Sequence, residues 1–117
     1  MKNLFLFLLL FTFNSTSIFS QNAPNPSDIG TASITSKLCV KLNENEELKK
    51  FYTINISTLN FASEAAAKKA FNQISNNYLS YKVDFAHKTV LLKVHSNRTK
   101  TIQTVAWWNE YLASKCN

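Results

Sequence analysis

Residues 79–94 read Leu79-Ser-Tyr-Lys-Val-Asp-Phe-Ala-His-Lys-Thr-Val-Leu-Leu-Lys-Val94. Leu79, Tyr81, Val83 and Phe85 alternate with Ser80, Lys82 and Asp84. Val90, Leu92 and Val94 alternate with Leu91 and Lys93 across Ala86-His87-Lys88. Period-two alternation on both sides of a short polar break predicts a β-hairpin with one apolar face. An apolar sheet face must be covered, so helices are expected on either side of the hairpin.

Both flanks supply one. Upstream, Ser63-Glu64 precedes Ala65-Ala-Ala-Lys-Lys-Ala-Phe71. A serine cap with an acid in the first turn suits the positive end of a helix. The alanine-rich run is strong helix former. Ala67, Ala70, Phe71 and Ile74 share one face, and Asn76-Asn77 ends the helix. Downstream, residues 101–115 predict a second helix, with Ile102, Val105, Ala106, Trp108 and Leu112 on its apolar arc. Further upstream, Tyr52, Ile54 and Ile56 mark a strand over 51–57, and Leu38, Val40 and Leu42 a shorter one. Asn43-Glu-Asn-Glu-Glu47 turns between them.

The resulting order is β-β-α-β-β-α. Its last five elements are the first five of a ferredoxin-like split βαβ sandwich. The final strand of that fold is missing, because the sequence stops at Asn117. The strand near Leu38–Leu42 is expected to lie antiparallel to 51–57 and fill the vacant edge. The end of the last helix then approaches the start of this strand, where Cys116 and Cys39 sit. The expectation is an α+β ferredoxin-like two-layer sandwich over 37–117.

Before it, Pro24, Pro26 and Gly30 make 21–36 read as a flexible linker. Residues 1–20 carry Lys2, then the apolar run Leu4–Phe13, and end at Ser20. That is the pattern of a cleaved secretory signal peptide, and the run is too short to span a bilayer as a helix. The mature chain then has no transmembrane segment. The formal charge of +6 falls by one with Lys2, to +5. Export, to a periplasm or beyond the cell, is expected, and the Lys/Asn/Phe-rich composition suggests a bacterium.

At 117 residues the chain holds one domain, and 45% apolar residues exclude a disordered tail. Two cysteines in an exported chain of this size are most simply one disulfide, Cys39–Cys116. The alternative is a thiol or metal protein using the same pair. No Cys-x-x-Cys occurs, and neither His87 nor His95 has ligand spacing to a cysteine, so no metal or cofactor is expected. The seven acidic residues form no evident acid–base pair, and a single glycine leaves no phosphate-cradling loop. A serine nucleophile needs a histidine and an orienting acid, and no such set is visible. The chain therefore reads as a non-enzyme. Asn55-Ile-Ser57 and Asn97-Arg-Thr99 match the glycosylation sequon by chance.

The residues Tyr52-Thr-Ile-Asn-Ile-Ser57, with the hairpin Tyr81–Val94, resemble a heavy-metal-associated domain, the copper-chaperone fold. That family holds its metal in a Met-Thr-Cys-x-x-Cys loop before the first helix. Here Phe61-Ala-Ser-Glu-Ala-Ala66 stands there, with Ser63 and Ala66 in place of the cysteines. Neither offers a thiolate to a soft ion. The resemblance implies the fold without the metal site. The run Tyr52–Ala67 also resembles the start of a sporulation-related repeat, which would imply peptidoglycan binding. The glycine-rich second half of that repeat is absent at Leu91–Ser96.

One surface stands out. On the last helix Trp107 and Tyr111 are spaced to stack at i,i+4, off the apolar arc, and Lys100 and Thr104 extend the same stripe. An exposed Trp–Tyr pair has partner value. The expected function is a protein-interaction module of the bacterial envelope or secretome, its protein partner unknown. An envelope glycan is the alternative ligand, and nucleic acid is not expected outside the cell. A strand edge or the aromatic stripe would each support a dimer.

Overall fold

The computed structural model describes residues 25–116. The signal peptide expected at 1–20 lies outside them. Five strands form one mixed sheet: β1 (Ile29–Ile34), β2 (Val40–Leu42), β3 (Phe51–Asn55), β4 (Leu79–Asp84) and β5 (Thr89–Val94). Two helices, α1 (Glu64–Ile74) and α2 (Val105–Ser114), complete it. The spatial strand order is β2-β1-β3-β5-β4. The chain is thus α+β, as expected.

The hairpin reading holds. β4 and β5 pair antiparallel with Tyr81 opposite Leu92 and Val83 opposite Val90. β5 also pairs antiparallel with β3, Tyr52 opposite Leu92 and Ile54 opposite Val90. The alternation therefore lines up across three strands. Tyr52, Ile54, Leu79, Val90, Leu92 and Val94 are buried in one core with Phe71 of α1 and with Trp108 and Leu112 of α2. The helix start is as read: the Ser63 hydroxyl accepts the Ala66 N–H at 3.1 Å.

The upstream half differs. The order is β-β-β-α-β-β-α, because Ile29–Ile34, within the expected linker 21–36, is a strand. β1 takes the place beside β3 and runs parallel to it. The strand near Leu38 is only three residues long and pairs antiparallel with β1, not with β3. The connection 43–50 therefore passes back across the end of β1. It is tied there by Glu46 Oε1, which accepts the Thr31 N–H at 3.2 Å, and by Asn43 Nδ2, which donates to Thr31 Oγ1 at 3.3 Å.

β1 escapes a hydrophobicity reading because two of its inward positions, Gly30 and Ala32, are small. Gly30 lies opposite Tyr52 in the parallel register. A Cβ at Gly30 would stand 2.8 Å from Tyr52 Cε2 and 3.0 Å from Lys49 Cγ. The glycine thus makes room for the buried Tyr52 ring, whose hydroxyl accepts the Lys49 N–H at 2.9 Å. Neither the ring nor the β3 backbone can yield without disturbing the core. Gly30→Ala is expected to destabilise the domain by about 1–3 kcal/mol, the range for overpacking. Chemical denaturation should show the loss, and a Tyr52→Leu background should recover part of it.

The second helix begins at Val105, not 101. Ile102, expected on its apolar arc, lies in the preceding loop and is 82% exposed. Ala106 is exposed as well. Thr104 sets the start: its hydroxyl accepts the Trp107 N–H at 3.1 Å, a threonine cap.

Candidate functional site

α2 carries two layers of large side chains. Trp108 and Leu112, four apart, point into the core and are buried. Trp107 and Tyr111, each one residue earlier, flank that stripe and are half-buried. Their rings are 5.6 Å apart and within 2° of parallel, the i,i+4 stack expected from the spacing. The edge of Trp107 meets Trp108 at 5.0 Å. Tyr78, just before β4, stands edge-on to both Trp108 and Tyr111, at 6.1 and 5.6 Å. Edge-to-face and offset contacts are the favourable geometries for such rings.

The cluster is held at its rim by polar groups. Asn76 Nδ2 donates to Tyr111 Oη at 3.1 Å. The Lys115 ammonium lies 5.4 Å from the Tyr111 ring centroid, within cation–π range. The Tyr81 hydroxyl is pushed up to about 12, first by burial and then by the nearby Tyr111 hydroxyl. The Tyr81 phenol is held neutral by this burial, which suits a mostly apolar surrounding.

Of the four residues read as a partner surface, the structure brings two together. Trp107 and Tyr111 form the stack. Thr104 is the helix cap, so its hydroxyl oxygen is occupied by a backbone N–H. Lys100 is exposed but precedes the helix and does not continue the stripe. Ile102, in the same loop, is a large apolar side chain left in water.

Cys39 and Cys116 form a disulfide, their Cα atoms 5.3 Å apart. It fastens the residue before β2 to the second residue beyond α2. No free cysteine remains among the described residues. Beside it Asn109 grips the outer side of β2. Its Oδ1 accepts the Leu42 N–H at 2.8 Å and its Nδ2 donates to the Leu42 carbonyl at 3.1 Å. A lone Asn in a helix gives no sequence signal for this role.

Sequence reading also missed a serine–histidine contact on the face of the sheet away from the helices. Ser80 Oγ and His95 Nε2 are 2.7 Å apart. Burial, then the charges of Arg98 and Lys93, lowers the His95 pKa and favours the neutral ring. Such a ring, with its proton on Nδ1, accepts from the Ser80 hydroxyl. Among the described residues no carboxylate hydrogen-bonds His95, so the pair lacks the orienting acid of a nucleophilic triad. The other histidine contact is His87 Nδ1 to Asp84 Oδ2, 2.8 Å, in the exposed β4–β5 turn. The His87 contact holds the Asp84 carboxyl below its ordinary value. Among the described residues there is no cluster of three or more His, Cys, Asp or Glu that could hold a metal. Ser63 and Ala66 are joined by the capping bond at the start of α1. No helix of the described residues is long and apolar enough to cross a membrane.

No protein-family model matches the chain, and neither a curated protein nor a solved structure is similar to it.

Proposed function

We propose that the chain is an exported, non-catalytic binding domain, a protein-interaction module of the bacterial envelope or secretome. The observation that carries this reading is the Trp107–Tyr111 stack. It is fixed by Trp108, Tyr78 and Asn76, yet remains partly in water. Rigid aromatic rings lose little entropy on contact and are the usual anchors of interfaces. The disulfide supports an oxidising compartment. The order β3-α1-β4-β5-α2 supports a ferredoxin-like relation, with β1 and β2 added at one edge. In that reading the chain keeps the outline of a heavy-metal-associated domain, and a capping bond occupies the place of its metal loop.

The test compares wild type with Trp107→Ala, each immobilised after a melting curve has verified folding. Both are exposed to an envelope extract of the cell that makes the protein. One protein enriched by wild type and lost by the variant is expected. Equal recovery of that protein by both overturns the aromatic surface. Muropeptides recovered equally by both would favour the sporulation-repeat reading instead.

A further inference from the structure

Both helices pack on one face of the sheet, through Phe71, Trp108 and Leu112. Among the described residues the other face is open. In β3, β4 and β5 the core residues alternate with a second set that points away from the helices. The register arranges that set in two rows. Phe51, Lys93 and Ser80 make one, and Thr53, Leu91 and Lys82 the other. Phe51 and Leu91 are half-buried and form an apolar floor. Lys82 and Lys93 stand exposed on it, the Lys93 ammonium 5.8 Å from the Phe51 ring centroid. A hollow of about 440 Å³ is lined by Thr53, Leu91 and Lys82 among others.

The charge on this face is one-sided. Lys82 and Lys93 are diagonal neighbours, about 7–8 Å apart along the sheet. Neither forms a salt bridge among the described residues. Beside them, burial and then the nearby charges of Arg98 and Lys93 lower the pKa of His95, the partner of Ser80. The carboxylates in reach are occupied. Asp84 gives one oxygen to the His87 N–H and the other to the His87 ring. Glu64, at the rim of the hollow, is paired with Lys68 at 3.0 Å. At the β2 corner Glu44 lies 3.8 Å from Lys41, and Glu46 accepts the Thr31 N–H.

We propose that the open face of β3, β5 and β4 binds an acidic polysaccharide, one that bears a carboxylate on successive sugars. Charge complementarity selects an anion: Lys82 and Lys93 repel each other until a negative group lies between them. The rest of the face selects a sugar chain. Thr53 and Ser80 offer hydroxyls to sugar hydroxyls, and Phe51 and Leu91 offer an apolar floor to the C–H face of a sugar ring. A single-stranded nucleic acid needs successive rings to stack on, and these rows hold one. A lipid surface needs apolar side chains that reach into it, and Phe51 and Leu91 lie half-buried in the sheet. The site is separate from the Trp107–Tyr111 stack on α2 and does not rest on it.

Titration calorimetry of the protein purified from expressing cells tests this, with oligogalacturonate as the probe at low salt. Neutral dextran and phosphatidylglycerol vesicles serve as the other arms. Saturable binding of oligogalacturonate is expected, weakening as salt rises, with no binding of dextran. Lys82→Gln/Lys93→Gln should weaken it about tenfold, the worth of two exposed ion pairs. Lys68→Gln/Lys69→Gln removes the same charge from α1 and should change it by less than about twofold. Melting curves verify that each variant is folded. Trp107→Ala should leave binding unchanged, which separates this face from the aromatic surface. No binding of oligogalacturonate at low salt overturns the proposal. So does equal weakening by the two lysine pairs, which marks attraction by net charge alone. Binding of the vesicles without the oligogalacturonate overturns it in favour of a lipid surface.

Discussion

Replacing Cys39 and Cys116 together with Ser should cost the domain on the order of 4–5 kcal/mol. The pair is separated by 77 residues in sequence. Restricting so long a loop in the unfolded chain accounts for a loss of that size in the entropic description. The folded state offers little to offset it. β2 is three residues long and sits at the sheet edge. Without the crosslink it keeps its pairing with β1, the two bonds from Asn109, and the burial of Val40 and Leu42. A small domain typically has only about 5–15 kcal/mol in total. The double variant is therefore expected to melt some tens of degrees lower, at roughly 4–8 °C per kcal/mol for this size. Reduction of the wild-type protein should produce the same shift, and calorimetry reads both. A double variant melting within a few degrees of wild type would mean that α2 and β2 hold each other unaided.

That dependence also explains which parts of the fold were legible in the sequence. β3, β4, β5 and α1 announce themselves because their inward positions are large and apolar at a clean period. The Cys39–Cys116 pairing is legible from two cysteines in one exported chain, and the approach of the last helix to the start of a strand agrees with it. β1 was not legible. Two of its three inward residues, Gly30 and Ala32, contribute little hydrophobic signal, and Pro24 and Pro26 precede it. Its smallness is a response to its neighbour: Gly30 is set by the Tyr52 ring, a contact between residues far apart in the chain. A parallel neighbour for β3 cannot be read from a window of ten residues. The strand near Leu38 is legible, but its place in the sheet is one position further out than its short connection to β3 implies, because β1 lies between them.

The candidate site was legible to the same degree. Spacing alone gave the Trp107–Tyr111 stack, since i,i+4 is a local relation. Lys100 falls on the stripe only if the helix begins at 101 rather than at Val105. Thr104 was read as surface when its hydroxyl is a cap. Asn109 on Leu42, and Ser80 on His95, join elements whose register only the folded sheet defines. Local periodicity carries no information about them.

Trp108→Ala should be among the most damaging single substitutions, at about 3–5 kcal/mol. Trp108 is fully buried, touching Tyr78, Trp107 and Tyr111 edge-on. Truncation removes the wall against which Trp107 and Tyr78 rest, so the stack should loosen along with the core. Trp108→Phe should behave quite differently. The Trp108 Nε1–H is buried and has no hydrogen-bond partner among the described residues. A buried donor without a partner already costs about 1–3 kcal/mol. Phenylalanine gives up part of the ring volume but also discards that orphaned group. The two terms oppose, and the net loss should be on the order of 1 kcal/mol, well below that of alanine. Urea denaturation of the three proteins measures both steps. A Phe variant as unstable as the Ala variant would show that the indole N–H is satisfied in solution, for instance by a buried water. A Phe variant close to wild type would show that this position is kept for the bulk and stiffness of its ring. Capture by that variant should then match wild type, because Trp107 and Tyr111 would still be braced from behind.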